Sequence, residues 1–273
     1  KSIITPWQLI VNFFEKNVSL GCIFNTYLIL HKGNNYNTLN LNKQGMKFIV
    51  IEGLDGSGKS TQLNLLKSYL EENKINYKYL HFPRTDSRIY GDLIARFLRG
   101  ELGDINTVNP YLIALIYAGD RNDAKEIINQ WIKGDLLVIV DRYVYSNIAF
   151  QCAKLKNQDE IDKLTDWILD LEYNYFKIPK PDLNVFLNVP FDFTKKNLEK
   201  QRNGDDRDYL NGKEDIHEKD IDFQNRVRNI YLQQAEKDKN LKIIHCADEN
   251  GNMPESGIIF NKIIHLLKTE NII

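Results

Sequence analysis

Eight consecutive residues, Gly53-Leu54-Asp55-Gly56-Ser57-Gly58-Lys59-Ser60, have the G-x-x-x-x-G-K-[ST] spacing of a loop that holds phosphate. Gly53, Gly56 and Gly58 let the backbone curl until successive N–H groups point inward at phosphate oxygens. Lys59 adds a point charge for the outer phosphates, and the Ser60 hydroxyl is a ligand for Mg²⁺. This chemistry needs a strand to deliver the loop and a helix to leave it, because a helix N-terminus adds its own partial positive charge. Phe48–Glu52 reads as that strand. Thr61 to Glu72 reads as that helix, with Leu63, Leu66 and Leu70 on one face. Gly53 to Thr61 are therefore the candidate contacts of a nucleotide's phosphates. Leu136–Asp141 reads as a buried strand ending in a carboxylate, and Asp141 is the candidate partner of Ser60 in the Mg²⁺ shell.

The remaining pattern supplies elements to hold such a site. Apolar runs at Tyr77–His81, Leu183–Val189 and Lys242–Cys246 add three strands to the two already named. Between them lie stretches with helical spacing. Ile89, Leu93, Ile94 and Phe97 mark one face, and Ile161, Leu164, Ile168 and Leu171 another. Alternation of short strands with helices predicts an α/β protein of the three-layer P-loop NTPase fold. It would have a five-stranded parallel sheet and helices on both faces.

Composition narrows the partners. The chain has 273 residues and a formal net charge of −1, which argues against the broad basic footprint of a nucleic-acid binder. Cys22, Cys152 and Cys246 are far apart and have no metal-binding spacing, so they read as small buried hydrophobes of a reducing compartment. The longest apolar candidate, Val18 to Leu30, is interrupted by Asn25 and Thr26, so no membrane span is expected. Residues 1–45 differ from the rest. Asn34, Asn35, Asn37, Asn40 and Asn42 crowd a linker-like stretch, and the apolar segment before it contains no arginine, unlike a mitochondrial transit peptide. We expect an N-terminal extension and Asn-rich linker over 1–45 and one catalytic domain over 46–273, with Met46 a candidate start.

Several short motifs, in order, resemble the thymidylate kinase family. Ile51 to Gln62 resembles that family's version of the phosphate loop, and Phe82-Pro83-Arg84 its phosphate-clamping FPR. Asp141-Arg142-Tyr143-Val144-Tyr145-Ser146 resembles DRY-x-x-S, Ala149-Phe150-Gln151 the AYQ that follows, and Pro181-Asp182-Leu183 its PDL. The resemblance covers residues 46 to 270 and implies transfer of phosphate from Mg·ATP to dTMP. It implies that Asp55 meets the sugar 3′-OH and the metal shell, and that Arg84 and Arg142 hold the 5′-phosphate beside the ATP γ-phosphate. Phe82, Ser146 and Asn147 would also line the substrate site. Tyr117 would stack on thymine, Arg121 and Gln151 would hydrogen-bond it, and Phe150 would exclude a ribose 2′-OH. One group of the family carries an arginine inside the phosphate loop. Here that position is Gly56, so the chain resembles the group that supplies arginine from a lid. The candidate lid is Gln201 to Tyr209, with Arg202 or Arg207 acting on the transferred group. Asp215, Glu218, Arg226-Val227-Arg228 and Tyr231 resemble the helix after that lid. A cytoplasmic homodimer with no nucleic-acid or membrane partner is expected, organellar targeting by the extension standing as the alternative.

Three other readings are open at this stage. A GTPase switch would need N-K-x-D, and Asn42-Lys43, Asn73-Lys74 and Asn261-Lys262 all lack its aspartate. A non-catalytic nucleotide binder would have no use for Asp55, Lys59, Arg84, Asp141 and Arg142 together. A kinase for another nucleoside monophosphate or a deoxynucleoside is the nearest alternative, although a nucleoside has no phosphate for Arg84.

Overall fold

The computed structural model describes residues 47–105, 107–134, 136–199, 210 and 215–273. Residues 1–46 and the predicted lid Gln201 to Tyr209, with Arg202 and Arg207, lie outside the described residues.

Side-chain alternation along a strand explains how one sheet makes two cores. In β1 (Phe48–Gly53), Phe48 and Val50 join the core on one side and Ile49 and Ile51 the core on the other. All are buried, as in a parallel sheet covered on both faces. β1 is joined by β2 (Tyr77–His81), β3 (Leu137–Asp141), β4 (Leu183–Asn188) and β5 (Leu241–His245), in spatial order β2-β3-β1-β4-β5 with every pairing parallel. β2 matches the Tyr77–His81 read from hydrophobicity, and the other four strands differ from their readings by a residue at one or both ends. Ladder pairing sets them: Leu241 pairs Asn184 and His245 pairs Asn188, so β5 starts and ends one residue early.

The helices are α1 (Lys59–Glu72), α2 (Tyr90–Leu98), α3 (Pro110–Asp123), α4 (Lys125–Lys133), α5 (Val144–Cys152), α6 (Gln158–Leu169), α7 (Phe191–Glu199), α8 (Ile216–Lys219), α9 (Ile221–Lys237) and α10 (Ser256–Thr269). A π-helical turn, Asp170–Tyr175, continues α6. Leu63, Leu66 and Leu70 of α1 and Ile259, Ile263 and Leu267 of α10 cover one face of the sheet. Burying each such side chain stabilises the fold by about 1.5–3 kcal/mol. Residues of α5, α6 and α9, among them Ile148, Leu164 and Val227, cover the other face.

Ile89 does not belong to the buried face assigned to it. It precedes α2 and is 64% exposed, while Gly91, Ile94, Ala95, Phe97 and Leu98 face inward. The reason is close packing at Gly91, where a Cβ would lie 2.6 Å from the Thr85 carbonyl oxygen. Cys152 and Cys246 are buried free thiols, pushed up to about 11 by burial, as small core hydrophobes should be. Among the described residues no helix is long and apolar enough to cross a membrane.

Candidate active site

β1 has β3 on one side and β4 on the other, so the chain's progress across the sheet reverses there, and ligand crevices open beyond the carboxyl ends of strands at such a point. A cavity of about 910 Å³ lies there. Its walls come from the loop after β1, from His81 to Pro83 after β2, from Asp141 and Arg142 after β3, from Tyr117 and Arg121 of α3, and from one side of α5. Asp215, His217 and Glu218 close it from the segment around α8.

The loop after β1 has the curl its glycines predict. Gly56 and Gly58 take φ of 73° and 76°, in the left-handed region that side chains disfavour. Ser57 Oγ is buried and has no hydrogen-bond partner among the described residues. Space at Gly56 is short. A Cβ there would sit 3.2 Å from the Thr194 carbonyl oxygen and 3.3 Å from Asn197 Cβ and Leu198 Cγ, all on α7. Asn197 Nδ2 also donates to the Gly56 carbonyl at 2.8 Å.

Two ion pairs flank the loop, one buried and one partly buried. Lys59 Nζ donates to Asp141 Oδ1, and His81 Nδ1 lies 3.0 Å from Asp141 Oδ2. Burial opposes the Asp141 charge, but Lys59, then His81, outweigh it and hold the carboxyl well below the usual range. Burial pulls Lys59 below its ordinary value, with Asp141 working against that shift. The second pair is Arg142 Nη2 to Asp55 Oδ1 at 2.7 Å, and Gln224 Nε2 donates to Asp55 Oδ2 at 3.0 Å. Burial would raise Asp55, yet Arg142 leads the groups that keep it lowered.

Arg142 stands just past β3 with φ 65°, a conformation uncommon outside glycine and frequent at functional sites. Glu52, fully buried at the end of β1, holds it there. Its Oε1 accepts from the Tyr143 N–H at 2.9 Å and the Ser146 N–H at 3.2 Å. Its Oε2 accepts from Ser146 Oγ at 2.5 Å and Tyr231 OH at 2.8 Å. The carboxylate thereby satisfies N–H groups at the start of α5, where negative charge is favoured. Arg142 Nη1 donates in turn to Ser146 Oγ at 3.2 Å.

The far end of the cavity is aromatic and amide-lined. Arg121 is 2% exposed and grips Glu172 with Nε at 2.5 Å and Nη2 at 2.6 Å. Asn147 Nδ2 donates to Glu172 Oε1 and to the Ala114 carbonyl, both at 3.0 Å. Gln151 Oε1 accepts from Lys154 Nζ at 2.7 Å, which leaves its amide NH₂ as donor. Burial pulls Lys154 down to about 7. Phe150 lies between the Arg142 guanidinium, 5.1 Å from its ring centre, and the His217 ring at 5.0 Å. Burial, with Lys154 nearby, pushes His217 down to about 3, so that ring is neutral.

The structure brings together Asp55 to Thr61, Phe82, Tyr117, Arg121, Asp141, Arg142, Ser146, Asn147, Phe150 and Gln151 around one cavity. Gly53 sits behind the loop, where a Cβ would meet Ser57 Oγ at 2.9 Å. Arg84 does not line the cavity. Its Nε donates to Asp120 Oδ1 at 2.9 Å and its Nη2 to Asp123 Oδ2 at 2.6 Å. The buried Asp120 carboxylate on α3 requires that partner, which turns the guanidinium aside. Sequence reading missed Glu52, Glu172, His217 and Gln224. Glu172 had a visible signal, since it continues the Ile161, Leu164, Ile168 stripe four residues on, where an apolar residue is due.

Known proteins resemble this chain over most of the described residues. A family profile described as thymidylate kinase matches residues 51–255. The thymidylate kinase of Mycobacterium tuberculosis is 33% identical over 187 residues, covering 68% of this chain and 85% of the relative. That of Plasmodium falciparum is 31% identical over 196 residues, covering 72% and 80%. A solved thymidylate kinase from Candida albicans shares the fold, with a TM-score of 0.60 and 24% identity over 82% of this chain and 92% of that one.

Proposed function

The chain belongs to the thymidylate kinase family and phosphorylates dTMP with ATP, and we propose that it does so in the cavity beyond β1 and β3. The observation that carries this is one continuous cavity with a phosphate loop at one end and a buried arginine with amides at the other. The backbone of Gly53 to Thr61 and Lys59 hold the ATP phosphates. Asp141 and Ser60 offer the hard oxygen donors that suit Mg²⁺ when phosphate and water complete its shell, and among the described residues no larger carboxylate cluster competes. Mg²⁺ bound there would neutralise charge on the transferred phosphoryl group. Lys59, paired with Asp141 in this structure, would turn its charge to the phosphates of a bound nucleotide.

Arg142, kept charged by Asp55 against the cost of burial, holds the dTMP 5′-phosphate in line with the γ-phosphorus. A 5′-phosphate oxygen bonds to that phosphorus as the bond to the leaving ADP oxygen breaks. Asp55 accepts from the sugar 3′-OH. Arg84 keeps Asp120 and exchanges the exposed Asp123, 57% accessible, for the same phosphate. Tyr117 stacks on thymine, Arg121, Asn147 and Gln151 hydrogen-bond it, and Phe150 fills the space a 2′-OH would need. Arg202 or Arg207 supplies the remaining positive charge from the lid. The catalytic domain is 46–273, with 1–45 outside the chemistry. Exposed Leu112 and Leu115 on α3 support a homodimer, which we place in the cytoplasm. A coupled ADP-release assay of residues 46–273 against dTMP, dUMP, UMP, dCMP, AMP and thymidine tests the whole reading. Preference for any nucleotide other than dTMP defeats it.

A further inference from the structure

Asn147 is 2% exposed, and its side-chain oxygen has no hydrogen-bond partner among the described residues. Its orientation is nonetheless determined. Both amide hydrogens are committed, one to the Ala114 carbonyl and one to Glu172 Oε1. Flipping the amide would set an oxygen against two acceptors, so Oδ1 is the atom left over. Leaving a buried acceptor unpaired costs free energy, which a donor on a ligand would offset.

Glu172 is 0% exposed and is absent from the cavity wall that Arg121 and Asn147 share. Its carboxylate occupies the Nε and Nη2 edge of Arg121 while it fixes Asn147. Arg121 keeps its Nη1 donors, and Asn147 keeps an acceptor. A single hidden acid thus sets a donor beside an acceptor. The π-helical turn that carries Glu172 is of a kind found often at functional sites.

We propose that Glu172 is a positioning residue that sets base specificity by locking this donor–acceptor pair. Thymine and uracil present an acceptor at O4 beside a donor at N3–H. Cytosine presents a donor at N4 beside an acceptor at N3. With the Asn147 amide locked, the first pattern is matched and the second is left with two clashes. This rests on the dTMP reading above and names the device behind it.

The test compares dTMP, dUMP and dCMP as substrates of the full chain and of Glu172→Gln. A glutamine puts an NH₂ donor where one of the two carboxylate oxygens now accepts, against either Arg121 Nε or the Arg121 Nη2–Asn147 side, so the three-bond lock is broken and the Asn147 amide is freed to turn. We expect kcat/KM for dTMP and dUMP to fall together while dCMP holds or rises, shrinking the dTMP to dCMP ratio by about tenfold or more. An equal loss on all three substrates overturns the proposal, because that is what general loosening of the fold does. A crystal structure of the unaltered chain with dTMP gives a second decision that does not depend on the variant folding. Asn147 Oδ1 within hydrogen-bond distance of N3, with Arg121 still on Glu172, supports the device. Arg121 released from Glu172, or Asn147 turned the other way, overturns it. A wild-type preference for dCMP would instead sink the dTMP reading itself.

Discussion

Lys59→Met keeps the stem of a side chain that is 8% exposed and removes its charge. What it strands is Asp141, 5% exposed, whose Oδ1 loses its ammonium partner. The other oxygen keeps His81 at 3.0 Å and Tyr79 at 3.4 Å. Removing one member of a buried pair costs about 3–5 kcal/mol, and the contacts left on Oδ2 place this case near the lower figure. For a domain of this size, about 3 kcal/mol lowers Tm by about 6–12 °C. Adding Asp141→Asn removes the stranded charge, so the double variant should recover most of that loss. Thermal melts without nucleotide, cross-checked by urea titration, measure both. A single variant as stable as wild type, or a double variant no better than the single, would refute the buried-pair argument. Turnover is a separate readout of the same protein. Loss of a charge aimed at the transferred phosphate should lower kcat by about 10²–10³, and near-normal turnover would remove Lys59 from the chemistry.

Four further outcomes are expected. Gln151→Ala should lower kcat/KM for dTMP more than it weakens ATP, and equal losses would make Gln151 structural. His217 is pushed down to about 3 from an ordinary 6.5, so between those values the unfolded chain holds a proton that the folded chain lacks. Stability should therefore fall as pH drops below about 6.5, by up to about 1.4 kcal/mol per pH unit. His217→Phe should flatten that slope in urea titrations, and an unchanged slope would assign the acid sensitivity to other groups. Arg202→Ala with Arg207→Ala should reduce kcat by about 10³ or more with little change in KM, since a lid contact forms only on closure. An unaffected kcat would move that charge to Arg142. A chain beginning at Met46 should keep its kcat, and a large loss would give residues 1–45 a part in the reaction.

What was legible in the sequence was what is local in the chain. The phosphate loop is eight residues in a row, and each strand carries its own run of apolar residues. Boundaries slipped by one residue because ladder partners, not hydrophobicity, decide where a strand stops. The partners of the acids that hold the site were not legible, because they are remote in the chain. Glu52 meets Tyr231 across 179 positions, and Arg121 meets Glu172 across 51. Arg84 shows the converse: its motif resembles a phosphate clamp, but only the fold reveals two α3 carboxylates within its reach.

The crowding at Gly56 bears on how this enzyme can change over time. With α7 at 3.2–3.3 Å from where a Cβ would begin, no arginine can enter the loop at that position while Thr194, Asn197 and Leu198 keep their places. A loop arginine there would strain the left-handed backbone and oblige α7 to yield by a few tenths of an ångström, which would disturb the Asn197 hydrogen bond that now steadies the Gly56 carbonyl. Such a change carries a cost before any benefit appears, which sets a barrier between the two ways of supplying the arginine and ties the fate of position 56 to that of position 197.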